Sequence, residues 1–255
     1  MKAHAIAKCV AVVLAAATIA TLTSGNAVAL SRSPSPSASG QLLATLKQRC
    51  DQEISRRLTT LNQDLSTITS ADKSLTDSDR ATLSAQVKSD INGLSTLQQT
   101  IAADTMLVKT RSDCHLIVSD YRVYELEQPK IHLVLAADRL TALDAKITAL
   151  EPKLQALINA ASGEKKTQAQ AALNDIEASV SKSQAALSGV VAGIINLDPA
   201  QYPNFTGVLK SARDSVQAAR SDLDGVRGDI QKIRDTLKNV SGSASSPASS
   251  PTPTA

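Results

Sequence analysis

Histidine and cysteine carry much of the nucleophilic and metal-binding chemistry of proteins, and this chain of 255 residues has three of each. His4 and Cys9 fall in the N-terminal segment, which leaves His115 and His132 in the body of the chain. Those two are 17 residues apart, and neither has another His, Cys or carboxylate at metal-ligand spacing. Cys114 and His115 are adjacent, so on a helix they diverge by about 100°, poorly placed for a nucleophile and its base. Asp222-Leu223-Asp224-Gly225 resembles the start of a calcium loop but lacks the later ligands, and an apolar seam runs through it. Arg227-Gly228-Asp229 spells an adhesion tripeptide inside a helical pattern rather than a loop. Asn204-Phe205-Thr206 and Asn239-Val240-Ser241 are glycosylation sequons, relevant only in a host that modifies them. The expectation is a protein that is not an enzyme, with no catalytic, cofactor or metal residues.

Charge and composition narrow the partners. The chain has 27 Lys and Arg against 24 Asp and Glu. Loss of an N-terminal segment containing Lys2 and Lys8 leaves 25 against 24. So balanced a surface implies neither nucleic acid nor an anionic membrane. With no Trp, one Phe and three Tyr, stacking platforms for single strands are also missing.

The N-terminus reads as an export signal over residues 1–29. A basic start carries Lys2, His4 and Lys8, Cys9–Thr23 is uncharged, and Ala27-Val28-Ala29 is the small-x-small pattern of a cleavage site. The stretch is short for a permanent anchor. The mature chain is then expected to be secreted, without stable membrane insertion, and to keep two cysteines, Cys50 and Cys114. An even pair in an oxidising compartment is a candidate disulfide.

The elements that must position these residues are helical. A composition rich in Ala and Leu favours helices on intrinsic propensity. After a Ser/Pro linker over residues 30–40, a first helix is expected at Gln41–Ser70, with Cys50, Ile54, Leu58, Leu61, Leu65 and Ile68 on one stripe. Thr76-Asp77-Ser78-Asp79 supplies capping oxygens for a second helix running to about Asp104. A third carries Cys114, Ile117, Tyr121 and Tyr124 at 3-4-3 spacing until Pro129 interrupts it.

Beyond Pro129, Leu133, Leu140, Leu143, Ile147, Leu150, Leu154 and Leu157 mark a heptad seam. Leu173 to Leu197 continues the 3-4 pattern in a fourth helix, and Phe205 to Val240 in a fifth, which Gly225 and Gly228 should weaken locally. The tail, residues 241–255, is a Ser/Pro/Thr stretch expected to be disordered.

The fold class is therefore all-α: an elongated antiparallel bundle of coiled-coil type. Two three-helix units in tandem, over 41–128 and 129–240, are one arrangement. A clean break at Gln128-Pro129 and a compact five-helix body are others. In an up-down-up first unit, Cys50 and Cys114 sit at the same depth of parallel helices, each on its apolar seam, which supports their pairing. Heptad seams are satisfied equally within one chain or between copies, so a homo-oligomer is compatible with them.

The segment Tyr121-Arg122-Val123-Tyr124, then Pro129-Lys130-Ile131-His132 and Ala136-Ala137-Asp138-Arg139, resembles a stretch of uncharacterised secreted all-helical proteins of bacteria. That resemblance covers about 30 residues and brings no activity with it. The segment suggests an interaction patch of Tyr121, Arg122, Tyr124, Lys130 and His132. The competing view makes the tyrosines large knobs in an aliphatic core. On these grounds the leading expectation is a non-enzymatic scaffold or spacer that binds protein at the cell envelope. The alternative is an amphipathic carrier that opens to hold lipid or another apolar ligand.

Overall fold

A computed structural model describes residues 36–71 and 73–241. The expected export signal, the start of the linker and the tail beyond Ser241 lie outside them. Among the described residues the protein is helices and connecting turns, an all-α bundle. In chain order these are α1 (Pro36–Ser70), α2 (Asp77–Ala103), α3 (Leu107–Ser119), a π-helical turn (Val123–Glu127), α4 (Gln128–Thr148), α5 (Glu151–Asn159), α6 (Gly163–Leu187), α7 (Val190–Ile194), a 3-10 turn (Pro199–Gln201), α8 (Asn204–Leu223) and α9 (Val226–Ser241). No helix among them is long and apolar enough to cross a membrane.

The first helices follow their stripes. Cys50, Ile54, Leu61 and Ile68 of α1 are buried, with Leu58 and Leu65 packed at the edge. They meet Leu83, Val87, Leu94, Leu97 and Ile101 of α2. Thr76 caps α2 as its sequence suggests: the Asp79 N–H donates to Thr76 Oγ1 at 3.1 Å. α1 begins five residues before the expected Gln41, at Pro36, because a proline in a first turn forfeits no helical hydrogen bond. Cys50 and Cys114 are joined, their Cα atoms 5.8 Å apart.

Several long stripes are cut into shorter helices. Gly189 adopts φ 74°, and the expected fourth helix divides there into α6 and α7. The fifth divides at Asp224 and Gly225, where the weakness was expected, so Arg227-Gly228-Asp229 forms the opening of α9 rather than a loop. Pro152 lies in the first turn of α5, and the buried line runs through Asp144 and Ile147 to Leu154 and Ile158 across that junction. Ile147, Leu154 and Ile158 are buried, whereas Leu143, Leu150 and Leu157 stay 42%, 41% and 57% exposed.

The apolar interior forms two clusters that do not part at Gln128-Pro129. The first spans α1 to the N-terminal half of α4 and takes in α7 and much of α8, including fully buried Phe205. The second joins the end of α4 with α5, α6, α9 and the end of α8. Leu140 packs on both. The upper part of α4 thus completes the first core, against the expectation of a unit beginning at Pro129.

Candidate functional site

The junction between α3 and α4 concentrates the unusual backbone and the buried charge of the molecule. α3 stops at Ser119, ahead of the proline. Arg122 then takes a left-handed conformation, φ 37° and ψ 42°, which costs a non-glycine residue on the order of 1 kcal/mol or more. The following turn is π-helical, and the Gln128 N–H donates to the Val123 carbonyl five residues back. Pro129 sits in the first turn of α4, where its missing N–H is harmless. The interruption expected at Pro129 is therefore real but lies some seven residues earlier, at Arg122.

This kink rotates the segment. Val123 and Leu126 become fully buried, and Tyr124, expected on the same seam as Cys114, is 43% exposed. Its ring lies under the Arg57 guanidinium of α1, 5.0 Å from centroid to carbon. Arg57 is in turn paired with Glu53. Further along the same α1 face, His132 Nε2 stands 3.9 Å from Asp64 Oδ1, with the imidazole largely exposed and the carboxylate buried. Burial raises the Asp64 pKa, and the nearby His132 charge opposes that rise.

The other proposed patch residues point elsewhere. Tyr121 is half-buried against Gly93 of α2. The Arg122 guanidinium stacks 3.8 Å above the Tyr202 ring and pairs with Glu125 at 2.6 Å. Tyr202 also approaches Phe205, their centroids 5.9 Å apart. Tyr202-Pro203 is a cis peptide. Lys130 departs furthest from expectation: it is 1% exposed and belongs to the core. Its Nζ donates to Glu127 Oε1 at 2.9 Å and to the Leu197 carbonyl at 3.1 Å. An ammonium can be buried there because a carboxylate and a carbonyl replace its water.

Around this ion pair the carboxylates are perturbed. The Asp90 carboxyl is pushed up to about 7, first by burial, then by the negative charge of Glu127, which Lys130 partly offsets, and by Asp198. Burial likewise raises Glu127, against the pull of Lys130. Glu127 Oε2 and Gln86 Oε1 are buried without a hydrogen-bond partner. Gln86 Nε2 donates to the Ile195 carbonyl at 2.9 Å, tying α2 to the turn after α7.

The five residues therefore do not converge on one patch. Tyr124 and His132 share an exposed face with α1, Arg122 clamps the Tyr202 loop, Tyr121 abuts α2, and Lys130 anchors the interior. Arg57, Asp64, Asp90, Glu127 and Tyr202 escaped sequence reasoning. The Glu127–Lys130 spacing of three was visible, but any helical surface offers such pairs. No protein-family model, no curated protein and no solved structure matches the chain.

Elsewhere, a groove of about 640 Å³ between α4 and α6 is lined by Thr141, Asp144, Thr148, Gln184 and Leu187 among others. Asp144 is buried and accepts a hydrogen bond from Ser183 Oγ at 2.9 Å, which partly counters the rise that burial imposes on its pKa. His115 is exposed on α3. Among the described residues no three His, Cys, Asp or Glu side chains group as metal ligands.

Proposed function

We propose that this protein is an extracytoplasmic, non-enzymatic scaffold that binds protein partners at the cell envelope. The observation that carries the reading is the face shared by α1, the π-helical turn and the start of α4. There an exposed tyrosine rests on an arginine, and an exposed histidine stands beside a carboxylate. Tyrosine and arginine are enriched among the residues that dominate the energetics of protein interfaces, and tyrosine buries large area at little entropic cost. The hydrogen bond from buried Lys130 to the Leu197 carbonyl and the Cys50–Cys114 link tie distant segments beneath that face to one another. The disulfide is compatible with an oxidising compartment, and the N-terminal pattern of residues 1–29 supports export.

The test is chemical cross-linking in the native envelope fraction with the protein as bait, beside a Tyr124→Ala/His132→Ala variant of unchanged helicity. Specific cross-links that disappear in the variant are expected. The scaffold is abandoned if the purified protein turns over an envelope substrate and loses turnover on substitution of His115 or His132. Extraction of a stoichiometric lipid from the purified protein would instead make it the carrier.

A further inference from the structure

We propose that the groove between α4–α5 and α8–α9 docks an acidic amphipathic helix of a partner protein, which deepens the scaffold reading and rests on it. Arg139, Leu140 and Leu143 of α4 face Arg220 and Leu223 of α8 and the Asp224 that caps it across a cleft of about 350 Å³. α4–α5 runs antiparallel to α6, since Asp144 meets Ser183 and Gln155 meets Gln170. α8–α9 also opposes the α6–α7 run, as Ile194 of α7 and Ala212 of α8 line one groove while Asp175 of α6 acts on Lys232 of α9. The two walls of the cleft are therefore parallel, and a step of seven residues advances about 10.5 Å along each.

Those steps repeat the same chemistry. Leu143, Leu150 and Leu157 lie seven apart and are the large apolar side chains that α4–α5 leaves exposed. Beside them Arg139, Lys146 and Lys153 also lie seven apart, all exposed. Arg220 lines the opposite wall, and Arg227 and Arg234 follow it at the same interval along α9, exposed too. None of these six cations has an ion-pair partner among the described residues. Asp224 is the acidic side chain that lines the cleft with them. A leucine line of heptad period between two basic rails is the complement of a helix with apolar a and d positions and Glu at e and g.

The alternatives fit less well. A second copy of this chain would bring basic rails against basic rails. A nucleic acid has no use for the leucines, and the cleft offers it no aromatic to stack on. A phospholipid surface does not require a seven-residue interval.

The probe is a synthetic three-heptad strand with Leu at a and d and Glu at e and g, fluorescently labelled, titrated with the purified protein by anisotropy. Matched strands carrying Lys or Gln at e and g, and vesicles of phosphatidylglycerol, are compared with it. The acidic strand should bind, and binding should weaken as salt rises. Leu143→Ser/Leu150→Ser/Leu157→Ser should weaken it on the order of a hundredfold. Arg220→Glu/Arg227→Glu/Arg234→Glu should transfer preference to the Lys strand, a gain that misfolding cannot mimic. Equal binding of all strands overturns the proposal. So does full affinity in the serine variant, or binding to vesicles alone. Envelope cross-links lost in the Tyr124→Ala/His132→Ala variant, with no strand binding, would leave the scaffold standing and remove only this groove.

Discussion

Replacing Lys130 by Met removes one half of a buried ion pair while keeping the volume of the side chain. The ammonium is 1% exposed and its partner carboxylate 4%. Loss of the cation leaves Glu127 buried with Oε2 already unpartnered, and strips the Leu197 carbonyl of its donor. Breaking such a pair costs about 3–5 kcal/mol. That is a large share of a typical stability of roughly 5–15 kcal/mol, and for a chain of this size it corresponds to a Tm drop of roughly 6–20 °C. The cost should shrink on acidification. Burial has raised the Glu127 pKa, and without Lys130 to lower it the carboxyl protonates more readily still. Glu127→Met/Lys130→Met should recover most of the loss, since an apolar pair of similar volume needs no partners. Urea unfolding followed by circular dichroism, at neutral and mildly acid pH, measures all three variants. A single-variant cost below about 1 kcal/mol, or a double variant no more stable than the single, would refute the burial argument.

Three further outcomes are expected. Cys50→Ser/Cys114→Ser, or reduction of the native protein, should cost about 4 kcal/mol in the chain-entropy model for the 64-residue separation; an unchanged urea midpoint would contradict it. A Cβ on Gly93 would stand 2.5 Å from Tyr121 Oη and 2.8 Å from its Cε1, so Gly93→Ala should destabilise the native protein. In a Tyr121→Ala background the same change should stabilise by about 1 kcal/mol through helix propensity, and thermal melts of the four proteins decide it. Asp90 holds its proton more tightly folded than unfolded, so its contribution to stability falls as pH climbs from 3.8 to about 7. Asp90→Asn should remove that slope and gain most, relative to the native protein, above pH 7; a native curve that steepens in the variant would reverse the sign.

The disulfide was legible because two independent patterns agreed. Cys50 and Cys114 each continue an apolar stripe, and each lies at a similar depth from the helix start expected from the sequence, although α1 begins earlier, at Pro36, and α3 at Leu107. The kink was mislocated because a proline interrupts a helix only where its N–H is needed. With Pro129 in a first turn the break moved to Arg122, which nothing local marks as left-handed. Lys130 was misassigned to the surface because charge is a poor guide to burial when the replacement for water comes from a residue 67 positions away, the Leu197 carbonyl. Tyr124 was carried with Cys114 on a straight-helix projection that the π-helical turn rotates away.

Periodicity and capping chemistry determined the all-helical class, the body of α1 and α2, the cap at Thr76 and the cysteine pair, since each depends on contacts within a few turns or on a matched register. Which leucines of a heptad line face inward, how two long stripes are cut at Gly189 and Gly225, and where buried charge finds its counter-charge were decided by packing between distant helices. A repeat of seven marks a sticky face but not its neighbour. Only assembly of the bundle leaves Ile147, Leu154 and Ile158 covered and Leu143, Leu150 and Leu157 in water.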